Sequence, residues 1–228
     1  MLEIKNLYKK YTDANKDIVI FEDLNIRFVK KTKNIILGSS GSGKSTFLNL
    51  ISSLDNPNSG SIIFNGLDIC TFNESQKTFY RRKNIGFIFQ FFNLIPTLSV
   101  KENIFLPLEL NNLLNDEYKN YALGLLDQVG LLDRLETMPE NLSGGQQQRI
   151  AIVRALVHKP DLIIADEPTG NLDLETASTI IDILSSLIDQ TDTTLIIATH
   201  DEKLQSISDN VYAVTEKSLR KVEINASL

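Results

Sequence analysis

Cysteine is nearly absent from this chain of 228 residues, and that absence excludes several kinds of structure. The single cysteine, Cys70, can form neither an internal disulfide nor a zinc site built from several cysteines. Small secreted domains that depend on disulfides are therefore excluded. A reducing compartment such as the cytoplasm is the expected location.

Long hydrophobic runs are also lacking. No apolar run approaches the roughly 18 residues that a membrane-spanning helix needs. The N-terminal stretch MLEIKNLYKKY does not contain the continuous apolar core of a signal peptide. We therefore expect a soluble chain whose role at a membrane, if it has one, depends on a partner.

Positive charge is in short supply. The chain has 23 Lys and Arg residues and 29 Asp and Glu residues, which gives a formal net charge of −6. A protein that binds nucleic acid needs a basic face to neutralise phosphates, so we expect no nucleic-acid partner. Small phosphate ligands remain compatible with this composition, because backbone N–H groups can bind them locally.

Buried strands alternate with helical patterns along much of the chain. Continuous apolar runs at 35–37, 162–165 and 195–198 are typical of strands covered on both faces. Between the last two of these runs, the segment 180–188 has apolar residues at helical spacing. This alternation predicts an α/β fold with a mainly parallel sheet. Because strand boundaries are hard to place from sequence, errors of a few residues are expected.

The N-terminal part follows a different pattern. The segments 18–21, 24–28 and 61–64 resemble antiparallel strands, and an Asn-Gly turn follows the last of them. We predict that they form an N-terminal antiparallel β subdomain attached to the parallel core.

The middle of the chain is helical. From about residue 91 to residue 160 it is rich in Asn and Leu and is interrupted by prolines, with a polar loop expected at 111–116. We interpret this stretch as a helical subdomain inserted into the α/β core. Residues 2–228 would then form a single domain that contains this inserted lobe.

A phosphate-binding loop is the most specific pattern in the sequence. Residues 38–45, GSSGSGKS, fit G-x-x-x-x-G-K-[ST] without a gap, between a predicted strand and a predicted helix. The glycines allow backbone N–H groups to point at phosphate oxygens, and Lys44 adds a positive charge. Ser45 offers a hydroxyl to Mg²⁺. The alternative, a flexible Gly/Ser turn, explains neither the Lys-Ser pair nor its position between a strand and a helix.

Acidic and amide side chains follow two other predicted strands. Asp166 ends one strand and is placed to hold Mg²⁺, while Glu167 follows and could polarise an attacking water. The alternative is that these acids only cap the next helix. Gln90 precedes the helical lobe and could sense Mg²⁺ and the γ-phosphate, although a polar loop residue is the simpler interpretation.

The two histidines lead to opposite expectations. His200 follows the strand at 195–198, where active groups collect in α/β sheets, and could hydrogen-bond the γ-phosphate or the attacking water. A structural histidine at a strand end is the alternative. His158 lies near a predicted helix C-terminus just before Pro160, where we expect a structural role with partial positive charge.

A second helix start has features of an anion site. Ser143 and Gln146 fit the capping-box spacing, which by itself predicts only a well-capped helix. Gly144 and Gly145 are poor helix formers, so we expect another group to come close to the backbone there. Two phosphate-binding helix starts in one chain suggest that two copies share nucleotides.

These motifs together resemble the ATP-binding subunits of ATP-binding-cassette (ABC) transporters. The sequence carries, in family order, the Walker A loop at 38–46, the Q-loop residue Gln90, the LSGGQ signature at 142–146, Walker B at 162–167 and the D-loop at 171–173. His200 matches the family's switch histidine, and Tyr11 stands where the family places an aromatic for adenine stacking. The resemblance covers essentially the whole chain.

The resemblance implies a phosphate-loop NTPase that hydrolyses ATP with Mg²⁺. The implied catalytic residues are Glu167, His200 and Gln90, and the implied metal-binding residues are Ser45, Gln90 and Asp166. The implied nucleotide-binding residues are Tyr11, Gly38, Ser39, Ser40, Gly41, Ser42, Gly43, Lys44, Ser45, Thr46, Ser143, Gly144, Gly145, Gln146 and Asp173.

The resemblance also implies partners and a place of action. Two copies would pair head to tail with ATP between them, and a separate membrane permease would hold the pair at the cytoplasmic face of the membrane. The stretches LDNPNSG, GFIFQFFNLIPTLSVKENI and DEPTGNLD look most like the lipoprotein-release and macrolide-export subgroup. Members that transmit force or sense antibiotics without moving cargo are the alternative function.

Overall fold

The computed structural model describes residues 2–13 and 16–222. In chain order the strands are β1 (Leu2–Asp13), β2 (Lys16–Phe28), β3 (Lys33–Leu37), β4 (Ser59–Phe64), β5 (Leu67–Asp68), β6 (Ile85–Phe89), β7 (Leu162–Asp166), β8 (Thr194–Thr199), β9 (Asn210–Thr215) and β10 (Ser218–Val222). The α-helices are α1 (Lys44–Ile51), α2 (Glu74–Asn84), α3 (Val100–Leu110), α4 (Asp116–Gln128), α5 (Gly144–Leu156) and α6 (Leu174–Asp189). The chain divides into two compact units, residues 1–81 with 194–228 and residues 82–193.

The first unit contains an antiparallel sheet with the strand order β2-β1-β4-β5. The predicted strand at 61–64 is confirmed as part of β4, and Asn65 and Gly66 form the following turn with positive φ. The segments 18–21 and 24–28 were predicted as separate strands. They are instead one strand, β2, which continues through a left-handed Asp23 and pairs along β1 with several register shifts.

The first unit also contains the parallel strands that carry the phosphate loop. Strand β3 pairs in parallel with both β8 and β9, and β9 pairs antiparallel with β10. Helix α1 is fixed in this unit by Phe47, which is fully buried and packs on the rings of Phe21 and Phe28 at centroid distances of 6.1 and 5.9 Å. Burying aromatic rings of this size contributes a large share of the packing energy.

The second unit contains the parallel pair β6–β7 and the helices α3 to α6. The predicted loop at 111–116 lies between α3 and α4, where Asn115 caps α4 through its side chain. Gly86 of β6 is required by packing, because a Cβ there would overlap the backbone of Ala155 in α5. The stretch 91–160 contains α3, α4 and α5. That it forms a helical subdomain inserted into the α/β core remains a prediction.

Helix length also bears on membrane insertion. Among the helices in residues 2–13 and 16–222, none combines the length and the apolar character needed to cross a bilayer. The longest of them, α6, has 16 residues and faces the core with its apolar side, which includes Ile180, Leu184 and Leu187. The apolar spacing that predicted this helix from sequence therefore marks a buried face.

Candidate functional site

The predicted phosphate loop lies between β3 and α1 in the first unit. Gly43 is the N-cap residue of α1, and its φ of 109° lies in the left-handed region that glycine tolerates. A Cβ at this position would also approach the Ile20 side chain to 2.7 Å. No side chain in the described part of the chain caps α1, so its positive end is directed at the loop.

Two polar side chains point into the phosphate loop. The buried ammonium of Lys44 donates to the carbonyl oxygens of Gly38 at 2.6 Å and Ser39 at 3.2 Å. The Ser42 Oγ is buried and has no hydrogen-bond partner within residues 2–13 and 16–222. A buried polar atom without a partner is costly unless a ligand satisfies it. The loop therefore fits a phosphate group.

His200 lies beside this loop because of strand register. Leu37 of β3 is paired with Thr199 of β8, so Gly38 and His200 both follow at the carboxyl edge of two parallel strands. These two residues and Ser39 line the same open cleft of about 480 Å³. The structure thus brings together two groups that sequence analysis had assigned to the phosphates.

Tyr11 is the predicted adenine-contacting residue, and it lies on β1 of the same unit. Its side chain is 41% exposed, and its hydroxyl donates to Asp55 Oδ2 at 2.7 Å. The ammonium of Lys9 lies over one face of the ring, 4.5 Å from its centroid. The ring is thus fixed at its hydroxyl end and covered on one face.

The acidic residues lie in the second unit at an equivalent sheet edge. Phe89 of β6 is paired with Asp166 of β7, so Gln90 and Glu167 both follow at the carboxyl edge of this strand pair. Glu167 has a φ of 47°, which is uncommon for a residue with a long side chain. Such backbone strain costs on the order of 1 kcal/mol or more and concentrates at functional sites.

The helix that follows these acids begins elsewhere. The N-cap of α6 is Asp173, whose oxygens accept hydrogen bonds from the Thr176 N–H at 2.9 Å and the Thr176 Oγ1 at 2.7 Å. These bonds lower the pKa of the Asp173 carboxyl. The alternative that Asp166 and Glu167 only cap this helix is therefore wrong. The predicted nucleotide contact of Asp173 remains a prediction.

The segment around Gln90 is anchored by two other residues of the second unit. Gln90 and Asn171 exchange hydrogen bonds, with Asn171 Nδ2 donating to the Gln90 carbonyl at 3.0 Å and Gln90 Nε2 donating to Asn171 Oδ1 at 3.2 Å. Arg154 donates to the carbonyls of Phe92 at 3.0 Å and Asn93 at 2.6 Å. Both carbonyls belong to residues with left-handed backbone. The loop is therefore tied to α5 and to the segment before α6.

The predicted capping box at Ser143 and Gln146 is present. The Ser143 hydroxyl accepts from the Gln146 N–H at 3.3 Å, and the Gln146 side chain accepts from the Ser143 N–H at 2.9 Å. A Cβ at Gly145 would meet the Thr176 methyl at 2.6 Å, whereas one at Gly144 would have ordinary contacts beginning at 3.4 Å. We expected another group to lie close to the backbone at both glycines. Within this unit such a group is present only at Gly145, where it is the Thr176 side chain.

The expectation for His158 is partly wrong. It lies just beyond the C-terminal end of α5, as predicted, but burial lowers its pKa to about 4, although its hydrogen bond to the Ile85 carbonyl acts in the opposite direction. Its Nδ1 has no partner in the part of the chain that the structure describes. The imidazole is therefore neutral at pH 7 and does not supply a positive charge to the helix end.

Several neighbours of the site were missed by sequence reasoning. Lys9 beside Tyr11 and Arg154 beside the Gln90 loop lie in no motif that distinguishes them from surface charges. Asp55 lies in the stretch LDNPNSG, but the sequence analysis assigned it no role. The only available signal is the two-residue spacing from Lys9 to Tyr11, which places both side chains on one face of a regular strand. The contacts of Asp55 and Arg154 join residues far apart in sequence, so the three-dimensional structure was needed to identify them.

Comparisons with known proteins identify the family. The family model described as "ABC transporter" matches residues 21–170. The chain is 44% identical over 211 residues to an uncharacterized ABC transporter ATP-binding protein of Mycobacterium tuberculosis, covering 92% of this chain and 85% of the relative. It is 40% identical over 219 residues to the lipoprotein-releasing system ATP-binding protein LolD of Legionella pneumophila, covering 96% of each.

A solved structure agrees with these sequence matches. The chain superposes with a TM-score of 0.87 and 33% identity, over 100% of both chains, on a dimeric ATP-binding cassette in a post-hydrolysis state with ADP and Pi. The predicted fold class, a phosphate-loop α/β protein with an N-terminal antiparallel sheet, is confirmed, as is the resemblance drawn from the motifs. The chain belongs to the ABC transporter family and is one of its ATP-binding, ATP-hydrolysing subunits.

Proposed function

We propose that this subunit hydrolyses ATP with the residues assigned above and uses the reaction to power a separate membrane permease. The observation that carries the residue assignment is strand register: Gly38 and His200 share one parallel-strand edge, and Gln90 and Glu167 share another. Ligands of open α/β sheets bind at such edges. The loop that holds Lys44 would bind the phosphates, and His200 would hydrogen-bond the γ-phosphate.

In the proposed reaction Glu167 acts as the general base. It takes a proton from a water molecule while the water oxygen attacks the γ-phosphorus and the bond to the β-phosphate oxygen breaks. The electron pair of that bond leaves with ADP, and inorganic phosphate is the second product. Lys44 would stabilise the charge that develops on the phosphate oxygens.

Mg²⁺ would be held by the Ser45 hydroxyl, Gln90 and the Asp166 carboxylate. Oxygen donors of this kind suit a hard cation that keeps most of its waters and binds ATP phosphates. Within residues 2–13 and 16–222 no cluster of three His, Cys, Asp or Glu side chains that could hold a metal ion is present. The proposed set contains one such side chain, Asp166, and takes its other donors from Ser45 and Gln90. When bound, Mg²⁺ would neutralise phosphate charge.

The nucleotide would be shared between two copies. The N-terminus of α5, with Ser143, Gly144 and Gly145, would face ATP held by the phosphate loop of a second copy. This proposal is supported by the dimeric state of the similar cassette. At Gly144 an added Cβ would make only ordinary contacts, beginning at 3.4 Å, so packing within the unit does not require glycine at this position. A helix N-terminus with small residues also suits a phosphate that approaches the backbone closely.

The partner would be an integral membrane permease that holds the pair at the cytoplasmic face of the membrane. Similarity to lipoprotein-releasing ATP-binding proteins favours a lipoprotein-handling or export system. Phe91, which is 72% exposed beside the anchored Gln90 loop, is a suitable contact for an apolar permease segment. The acidic net charge of −6 disfavours nucleic acid as a partner.

The test separates nucleotide binding from turnover. Glu167→Gln should bind ATP and pair with a second copy but release phosphate at least about 100-fold more slowly, because a general base contributes about that much. Lys44→Ala should lose nucleotide binding altogether. Glu109→Gln, an exposed acid on α3, is the charge-matched control and should hydrolyse ATP normally. Wild-type turnover by Glu167→Gln would contradict the assignment.

A further inference from the structure

The surroundings of Tyr11 form a connected polar cluster. The Lys9 ammonium lies 2.8 Å from each oxygen of the Asp55 carboxylate and donates to the Asn56 carbonyl at 2.9 Å. The Tyr11 hydroxyl donates to Asp55 Oδ2 at 2.7 Å. Lys9 therefore contacts one face of the Tyr11 ring, and Asp55 binds its hydroxyl.

Burial makes this cluster unusual for charged side chains. Lys9 is only 6% exposed, whereas the ring that it contacts is 41% exposed. Charged residues are rarely buried to this degree unless they are paired, and leaving one of this pair alone would be costly. Burial acts to raise the pKa of the Asp55 carboxyl, but hydrogen bonds from Lys9, Tyr11 and the Asn56 N–H outweigh it, so this pKa is lowered.

The tyrosine is a hydrogen-bond donor throughout the neutral range. Burial and the hydrogen bond to Asp55 raise the pKa of the Tyr11 phenol, while an interaction with Thr46 acts in the opposite direction. A protonated hydroxyl next to an ionised carboxylate forms a charge-assisted bond that fixes the ring orientation. In the part of the chain covered by the structure, no second aromatic ring stacks on Tyr11.

We propose that Lys9 and Asp55 are positioning residues that make Tyr11 a one-sided platform for the nucleotide base. Lys9 covers one face, so the base stacks on the other. A cation beneath the ring draws π-electron density away from the open face, which reduces repulsion with an electron-rich purine. Asp55 neutralises the cation and fixes the hydroxyl, so the ring does not have to be ordered when ATP binds.

The covalent connection along the chain supports this role. Asp55 lies four residues beyond the end of α1, and its N–H donates to the Asn49 carbonyl at 3.1 Å in the turn that closes this helix. The phosphate loop lies at the other end of α1. One helix therefore links the phosphate loop to the carboxylate that orients the Tyr11 ring, and both ends of this helix lie in the same unit.

The inference rests on the proposed function because it takes Tyr11 as the adenine contact, so the test includes that assumption. Binding of Mg-ATP and of Mg-tripolyphosphate, which has no base, is compared by calorimetry in the full chain. Lys9→Met removes the cation and keeps the length of the side chain. Tyr11→Phe keeps the ring but removes the hydroxyl, and with it the bond to Asp55 and the interaction with Thr46. Tyr11→Ala removes the platform.

The expected result is a loss confined to the ligand that has a base. Lys9→Met and Tyr11→Phe should each weaken Mg-ATP binding by about fivefold, as expected for losing about 1 kcal/mol of ring interaction or ordering, and leave Mg-tripolyphosphate binding unchanged. Tyr11→Ala should weaken Mg-ATP binding further. Asp17→Asn is the control, because Asp17 lies in the same pair of strands but its ion pair and side-chain hydrogen bonds are with Lys10 and Thr12.

Other outcomes would contradict either the positioning role of Lys9 and Asp55 or the adenine contact of Tyr11. If Tyr11→Ala weakens Mg-ATP binding but Lys9→Met and Tyr11→Phe do not, the positioning role is wrong and the proposed function stands. If Lys9→Met weakens both ligands equally, its effect is on folding of the unit, and the inference is wrong. If Tyr11→Ala binds Mg-ATP like the wild type, the adenine contact assigned under the proposed function is wrong as well.

Discussion

At the scale of single residues, burial extends the pH range over which two side chains outside the proposed reaction are neutral. Desolvation raises the pKa of the Cys70 thiol to about 11, with a smaller contribution from the nearby Asp68 carboxylate. It lowers the pKa of His158 to about 4. Because both shifts favour the neutral form, neither residue carries a charge at neutral pH. The thiol is also a weak nucleophile there.

The neutral His158 makes stability depend on pH. In the unfolded chain the imidazole binds a proton below about pH 6.5, whereas in the folded protein it does so only below about 4. The unfolded state therefore binds more protons in this interval. The free energy of unfolding is therefore highest, as far as this histidine is concerned, above pH 6.5, and it decreases as the pH falls towards 4. The free energy of unfolding should fall by about 2 kcal/mol from this group between pH 7 and pH 5.

Urea unfolding at pH 7 and at pH 5 measures this effect. His158→Gln keeps a hydrogen-bond donor near the Ile85 carbonyl but does not titrate, so its free energy of unfolding should change less between the two pH values. The difference between the two proteins in how much the free energy of unfolding changes with pH gives the part that is due to the imidazole. An equal pH dependence in both proteins would show that His158 is not held neutral in the folded state.

At the scale of elements, α5 combines structural contacts with a predicted binding role. Its N-terminus carries the capping box and the two glycines, and Arg154 near its C-terminal end anchors the loop that follows Gln90. Gln148 in the middle of the helix donates to the Pro168 carbonyl at 2.6 Å. A displacement of this helix would therefore be transmitted to the loops on either side.

The two glycines of α5 should respond differently to substitution. Gly145→Ala places a methyl group 2.6 Å from the Thr176 methyl, and Thr176 cannot rotate away without breaking its bond to Asp173. Overpacking of this kind should lower the free energy of unfolding by about 1–3 kcal/mol. Gly144→Ala has ordinary contacts, so its stability should be unchanged or slightly higher, while its ATPase activity falls because the backbone is covered.

Chemical denaturation and phosphate release, measured on both variants, test this difference. Thr176→Ser removes the obstructing methyl and keeps the hydroxyl that bonds Asp173, so it should restore the stability of Gly145→Ala. Gly144→Ala provides the matched control for helix propensity. If both alanine variants lost equal stability, packing against Thr176 would not be the reason for glycine at position 145.

At the scale of the whole molecule, the proposed reaction needs a second copy. The phosphate loop and the α5 N-terminus are both helix starts suited to anions, and the similar cassette of known structure is a dimer. If each nucleotide contacts both copies, ATP binding and pairing stabilise each other. Opening after hydrolysis would then provide the movement that a permease uses.

Turnover per chain should therefore depend on protein concentration. Well below the pairing constant, at saturating ATP, each tenfold dilution should lower the rate per chain by about tenfold, because the fraction of paired chains falls in proportion to concentration. Phosphate release measured over a dilution series gives this slope. A rate per chain that stayed constant across the series would show that a single copy hydrolyses ATP alone.

Local sequence patterns determined the chemistry of this protein, because contiguous residues that bind phosphate must lie close together in any fold. Residues 38–45 form the predicted loop, and the buried runs at 35–37, 162–165 and 195–198 form strands. The capping box at Ser143 is also local, since both of its hydrogen bonds span three residues. Each of these features is recognisable from residues that are close together in the sequence.

Only the tertiary structure decided which distant residues act on these motifs. No strand was predicted at the position of β1, and neither its pairing with β2 nor the contacts of Tyr11 with distant residues followed from the motifs. The neutral state of His158 depends on burial beside a strand 73 residues away. Desolvation and long-range hydrogen bonds depend on how distant segments pack together, so they cannot be predicted from a local sequence pattern.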